Sequence, residues 1–172
     1  QAQAQQTGQE TTAEVSDVIQ IGKVVGYEYS AEELSSGPSN PEDQFHGNDR
    51  IEVINVSIRL ASGSDPINLS DASYTFATNG FASVVNGNND TNSDAIEMYQ
   101  LQDLDPEDGA ILSEQEDLMT VQFNLSALDG DLRGIDTAEK VTIVAQAPAG
   151  GQSYVEVQAP RQIQDDESYI LR

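Results

Sequence analysis

The stretch Arg50-Ile51-Glu52-Val53-Ile54-Asn55-Val56-Ser57-Ile58-Arg59-Leu60-Ala61 decides the fold of this chain. Its apolar residues recur at every second position: Ile51 and Val53 on odd numbers, then Ile54, Val56, Ile58 and Leu60 on even ones. Successive Cβ atoms of a β-strand point to opposite sides of the sheet, so a period of two marks a strand with one face in a core. The change of parity between Val53 and Ile54 predicts a β-bulge at that step.

Upstream, Ile19, Ile21, Val25, Tyr27 and Tyr29 share one parity, opposite Gln20, Gly22, Gly26 and Glu28. This predicts a second strand, divided from the first by residues 30–49, a loop containing Gly37-Pro38 and Asn40-Pro41. Downstream, strands are predicted at residues 72–78, 81–86, 95–101, 118–126, 141–147, 153–158 and 168–171. Turn signals such as Asn79-Gly80, Asp129-Gly130 and Gly150-Gly151 separate many of them. Short strands without amphipathic helices between them imply an all-β chain, an immunoglobulin-like antiparallel β-sandwich. The tryptophan and paired cysteines of antibody domains are absent, so the spacing gives an architecture and not membership of that family.

Residues 1–17 have a different texture. They are polar, and Ala4, Thr11, Val15 and Val18 follow a thin stripe at approximately helical spacing. Such a segment buries little alone. It is either a frayed terminus or the end of a longer helix whose apolar part lies before Gln1, and it divides the chain into two parts: residues 1–17 and residues 18–172, the sandwich.

Charge narrows the setting. Thirty Asp and Glu face seven Lys and Arg, a net charge of -23 on 172 residues. A compact domain with that much like charge repels itself unless salt screens the repulsion, as roughly molar salt does over ~3 Å. The composition therefore suits brine. It also argues against a nucleic-acid partner, because phosphate binding needs clustered cations. A chain of this size buries about 70% of its surface on folding, enough for a real core. With no Cys, neither disulfides nor thiolate chemistry is available.

Catalytic and metal signals are weak. The single histidine, His46, lies in the loop Asp43-Gln44-Phe45-His46-Gly47, where a solvated residue is a better reading than a general base. Asp103, Asp105, Glu107, Asp108, Gly109 and Glu114 echo a calcium loop. The glycine comes one place late, however, and Pro106 interrupts the loop, so a solvated acidic turn is the better reading. No catalytic, cofactor or metal residue is assigned, and the chain reads as a non-enzyme. Four Asn-x-Ser/Thr sequons stand out, at Asn55, Asn68, Asn89 and Asn124. Asn55 and Asn124 have the opposite parity to their apolar neighbours, so both are expected to project outward as glycan sites of a surface glycoprotein.

One resemblance adds to this reading. The run Arg59-Leu60-Ala61-Ser62-Gly63-Ser64-Asp65-Pro66-Ile67-Asn68-Leu69-Ser70-Asp71-Ala72 resembles the archaeal flagellins, or archaellins. Residues 7–17, residues 141–144, the Gly150-Gly151 turn, residues 154–157 and Ala159-Pro160 resemble further parts of that family. Residues 30–49 and 79–117 resemble nothing in it. The resemblance implies a structural subunit of the archaellum, the archaeal swimming filament. Its apolar N-terminal helices would bundle in the filament core, with residues 1–17 the C-terminal stump of such a helix, while the β-domain, residues 18–172, forms an extracellular sheath. The implied partners are copies of itself and other archaellins, with membrane contact only before assembly, through a helix preceding this stretch. The alternatives are a stator or accessory domain of the archaellum, a pilus or S-layer module, and, last, a secreted hydrolase built around His46.

Overall fold

The computed structural model describes residues 18–28, 50–78, 80–88, 95–102, 110–125, 128, 134–163 and 168–172. Among these described residues eleven strands follow in chain order: β1 (Ile19–Tyr27), β2 (Val53–Leu60), β3 (Ile67–Asn68), β4 (Ser73–Thr78), β5 (Phe81–Asn86), β6 (Ile96–Gln102), β7 (Ile111–Leu112), β8 (Leu118–Asn124), β9 (Lys140–Gln146), β10 (Gln152–Gln158) and β11 (Ser168–Ile170). They form a five-stranded sheet, β11-β1-β2-β8-β6, and a four-stranded sheet, β10-β9-β4-β5, with β3 and β7 as a separate pair. Every pairing is antiparallel. The all-β sandwich expected from the spacing is what the chain forms. The expected helical end at residues 1–17 lies outside the described residues.

Alternation builds the core. Val56, Ile58 and Leu60 of β2, Tyr74 and Phe76 of β4, Val121 and Phe123 of β8, Val141 and Ile143 of β9, and Val155 and Val157 of β10 are all buried in one cluster. The aromatic rings join the two sheets. Phe123 of β8 meets Phe76 and Tyr74 of β4 edge-on, at centroid distances of 4.7 and 5.0 Å. Offset or edge-to-face geometry is the favoured one, since it brings the electropositive edge of one ring to the electronegative face of the other. At another point the Ser153 hydroxyl donates to the Ile19 carbonyl, tying β10 to β1.

The bulge is not where parity alone put it. Val53 and Ile54 pair without interruption, opposite Tyr27 and Gly26 on one side and Asn124 and Phe123 on the other. The slip lies instead in β1, between Ile21 and Val24. One extra residue at Gly22-Lys23 reverses the faces that follow, so Val24, Gly26 and Glu28 are buried while Val25 and Tyr27 are half-buried. This corrects the expected parity of β1 beyond Ile21. Gly26 permits the close packing there: a Cβ on it would lie 2.8 Å from Ile51 Cγ2, nearer than real Cβ atoms come. Ile51 in turn exchanges two backbone hydrogen bonds with Ile135, at 2.9 and 2.8 Å.

Two consecutive buried residues, Val53 and Ile54, look in the sequence like a bulge. Both are fully buried for different reasons. Ile54 points into the core cluster, while Val53 belongs to the row Tyr27, Val53, Asn124 across one end of the five-stranded sheet, on the face away from that core. Periodicity reports which face a residue is on, and it is silent on what else covers that face.

Candidate functional site

The distribution of charge is the first property of the surface that bears on function. Of the thirty acids, only Glu97 and Glu156 lie inside the eleven strands, which also hold Lys23, Arg59 and Lys140. The strands are thus close to neutral, and the other acids fall in sequence outside the strand ranges. The chemistry of β-structure accounts for this, since Asp and Glu are depleted from strands and favoured in turns. The charge of -23 is consequently carried by residues outside those strands.

Some of these acids have structural work. Asp117, which periodicity does not single out, closes the turn between β7 and β8. Its Oδ2 accepts from the Ser113 N–H at 2.9 Å, the Ser113 hydroxyl at 3.1 Å and the Glu114 N–H at 2.9 Å. Burial acts to raise its pKa, but the donors from Glu114 and Ser113 outweigh it and hold the carboxyl below its ordinary value. Glu139 shifts upward, through burial first and then the nearby Asp136 charge. The ion pairs Arg50–Asp136, at 2.8 Å, and Lys140–Glu156, at 4.0 Å, are both exposed. Exposed pairs contribute little, about 0–1 kcal/mol, and less in concentrated salt.

The sequons have different surroundings. Asn55 stands half-buried in the middle of β2, between Val25 of β1 and Gln122 of β8, and its Oδ1 accepts from Gln122 Nε2 at 3.0 Å. It lies on the outer face of the five-stranded sheet, as its parity predicts. Asn68, also half-buried, caps the short 3-10 turn Leu69–Asp71, accepting the Ser70 N–H at 3.0 Å. Asn124 departs from expectation: it is 3% exposed, in the same covered row as Val53. Its parity is outward, but that end of the sheet is not open to solvent. Asn89 lies outside the described residues.

The catalytic and calcium motifs set aside in the sequence fall largely outside the described residues, His46 and residues 103–109 among them. Glu114 is exposed at the Asp117 turn. Among the described residues no group of three or more His, Cys, Asp or Glu is placed to hold a metal ion, and no helix is long and apolar enough to cross a membrane.

Comparison with known proteins gives a consistent picture. The family model described as archaeal-type flagellin matches residues 1–157. Flagellin B1 of Natrialba magadii is 27% identical over 177 residues, covering 99% of this chain and 79% of that protein. The crystal structure of archaeal flagellin FlaB1 from Methanocaldococcus jannaschii superposes with a TM-score of 0.64 at 16% identity, over 89% of this chain and 95% of the other. The archaeal flagellum of Methanospirillum hungatei strain JF1 gives 0.54 at 11% identity, over 94% and 79%. These last two are likenesses of fold.

Proposed function

Since this chain belongs to the archaeal-type flagellins, we infer that it is a structural subunit of the archaellum, polymerising outside the cell into the swimming filament. The observation that carries the reading is the extent of the family match, which runs from residue 1 through β10 and so spans nearly all of both sheets. Residues 1–17 are, on this reading, the end of a helix that packs in the filament core, and residues 18–172 form the sheath. Before assembly that helix would hold the subunit in the membrane. Other archaellins would share the filament with it, and the subunit carries out no catalytic step of its own.

Two features of the chain support the details. Its net charge of -23 suits an extracellular polymer in concentrated salt, where screening over ~3 Å lets acidic subunits pack side by side. The same charge disfavours a nucleic-acid partner. Asn55 and Asn68, neither of them fully buried, are the described sequons we assign as glycan sites, with Asn89 alongside them by sequence.

Antibody against the β-domain distinguishes this role from that of a stator or envelope protein. Gold-labelled antibody should decorate native filaments along their whole length. Decoration confined to the cell body or to the filament base would overturn the assignment.

A further inference from the structure

The outer face of the four-stranded sheet differs in composition from the acidic segments outside the strands. Register places Val84 of β5, Thr75 of β4, Val144 of β9 and Tyr154 of β10 in one continuous row across all four strands. The next row is Ala82, Ala77, Thr142 and Glu156, and the row on the other side is Asn86, Ser73, Gln146 and Gln152. None of these twelve residues is buried, and the two ends of the central row are wide open, Tyr154 at 76% and Val84 at 63% exposure. The one acid, Glu156, is matched by Lys140, 4.0 Å away. In a chain with thirty acids, this face is neutral and carries an apolar central stripe.

We propose that this face is the lateral contact through which the β-domain docks on a second copy of the same chain. The proposal rests on the filament reading above and names the surface that filament packing uses. Electrostatics favours a sheet face over the connections. Two copies at -23 each repel wherever their acidic connections meet, and a neutral sheet face is where a neighbour can approach without adding carboxylate to carboxylate. The sequons select it independently. Among the described residues no sequon asparagine falls on this face, whereas Asn55 occupies the centre of the outer face of the other sheet. A bulky glycan there would leave the four-stranded face as the unobstructed one.

Its size explains why assembly needs more than this contact. Four strands ~4.8 Å apart, each about six residues at ~3.3 Å, present a projected area of roughly 400 Å². Stable free-standing complexes bury about 800 Å² per partner. The face alone is too small to hold a dimer in solution, and it acts only where copies are already held side by side. In a helical polymer the contact is head-to-tail, so the face meets a different patch on its neighbour and not its own counterpart.

These 172 residues contain no cysteine, so a thiol introduced among them is the only one they carry. Filaments are prepared in multimolar salt from cells producing Val84→Cys, Tyr154→Cys or the exposed connection control Glu116→Cys. Each is treated with a 5-kDa polyethylene-glycol maleimide, intact and after dissociation. We expect labelling at 84 and 154 to be at least tenfold slower in intact filaments, with position 116 changed much less. Equal labelling in both states at 84 and 154 overturns the surface assignment while leaving the filament role standing. Protection that is present on cells but lost in filaments of this chain alone assigns the face to another partner, and also overturns it. Cells whose filaments lack this chain overturn both. A second variant, Val84→Glu with Tyr154→Glu, keeps exposed positions exposed. It should melt with the wild-type domain yet fail to assemble, and normal assembly would contradict the proposal.

Discussion

Replacing Phe123 by Ala removes the ring that joins the two sheets, and the consequence can be sized from the packing. Phe123 is fully buried and meets Phe76 at 4.7 Å and Tyr74 at 5.0 Å. Withdrawing ~200 Å² of aromatic surface from water contributes roughly 5 kcal/mol at ~25 cal/mol per Å², an upper figure because unfolded chains already bury part of it. Measured Phe→Ala changes in cores cost about 3–5 kcal/mol, including the cavity left behind. We therefore expect Phe123→Ala to lose about 4 kcal/mol, which lowers Tm by roughly 10 °C in a domain of this size. The assay is urea and thermal unfolding of the chain in multimolar salt, with Phe81→Ala as control. Phe81 sits at the tip of the β4–β5 hairpin at 48% exposure, and its loss should cost under about 1 kcal/mol. Equal losses for the two variants, or a Phe123→Ala domain within 1 kcal/mol of wild type, would refute the claim that these rings couple the sheets.

Three further outcomes follow from the same geometry. Gly87→Ala would place a Cβ 2.0 Å from the Leu69 carbonyl oxygen, a backbone atom that cannot turn aside, so denaturation should report a loss above about 2 kcal/mol. Asp117→Asn should cost about 1–2 kcal/mol at neutral pH by weakening the three hydrogen bonds its Oδ2 accepts. Because the folded Asp117 carboxyl has a lowered pKa, its stabilising contribution is complete above the unfolded value of ~3.9 and is lost as pH falls through the folded value. Acid unfolding of Asp117→Asn should accordingly be shallower than that of wild type, and identical acid limbs would contradict the assignment. Raising salt from near zero to multimolar should raise Tm, because repulsion among the acidic connections is screened while the exposed pairs Arg50–Asp136 and Lys140–Glu156 have little to lose. A flat or falling Tm across that range counts against charge repulsion as the governing term.

The strands were legible in the sequence wherever side chains alternate between a core and water. β2, β4, β5, β8, β9 and β10 follow the expected segments closely, because each has one face in the shared core. β3 and β7 hold two residues each, too few to show a period, and they are defined by their pairing, Ile67 with Leu112 and Asn68 with Ile111. Glu28 illustrates a second limit. One extra residue at Gly22-Lys23 turns it from the expected polar face into the interior, and nothing local to Glu28 signals the change. Asn124 illustrates a third, since its parity is outward and its burial depends on what lies over the sheet. The neutral face needed register as well as pattern: Val84 and Val144 are ordinary strand valines until the pairings place them beside Thr75 and Tyr154 on one open surface.

Helical reconstruction of native filaments by electron cryomicroscopy tests the central claim most directly. An archaellum subunit of this kind requires a two-sheet sandwich at outer radius whose density fits the five- and four-stranded sheets, surrounding a core of packed helices. Filaments from cells expressing the chain whose outer density cannot accommodate this sandwich would contradict it.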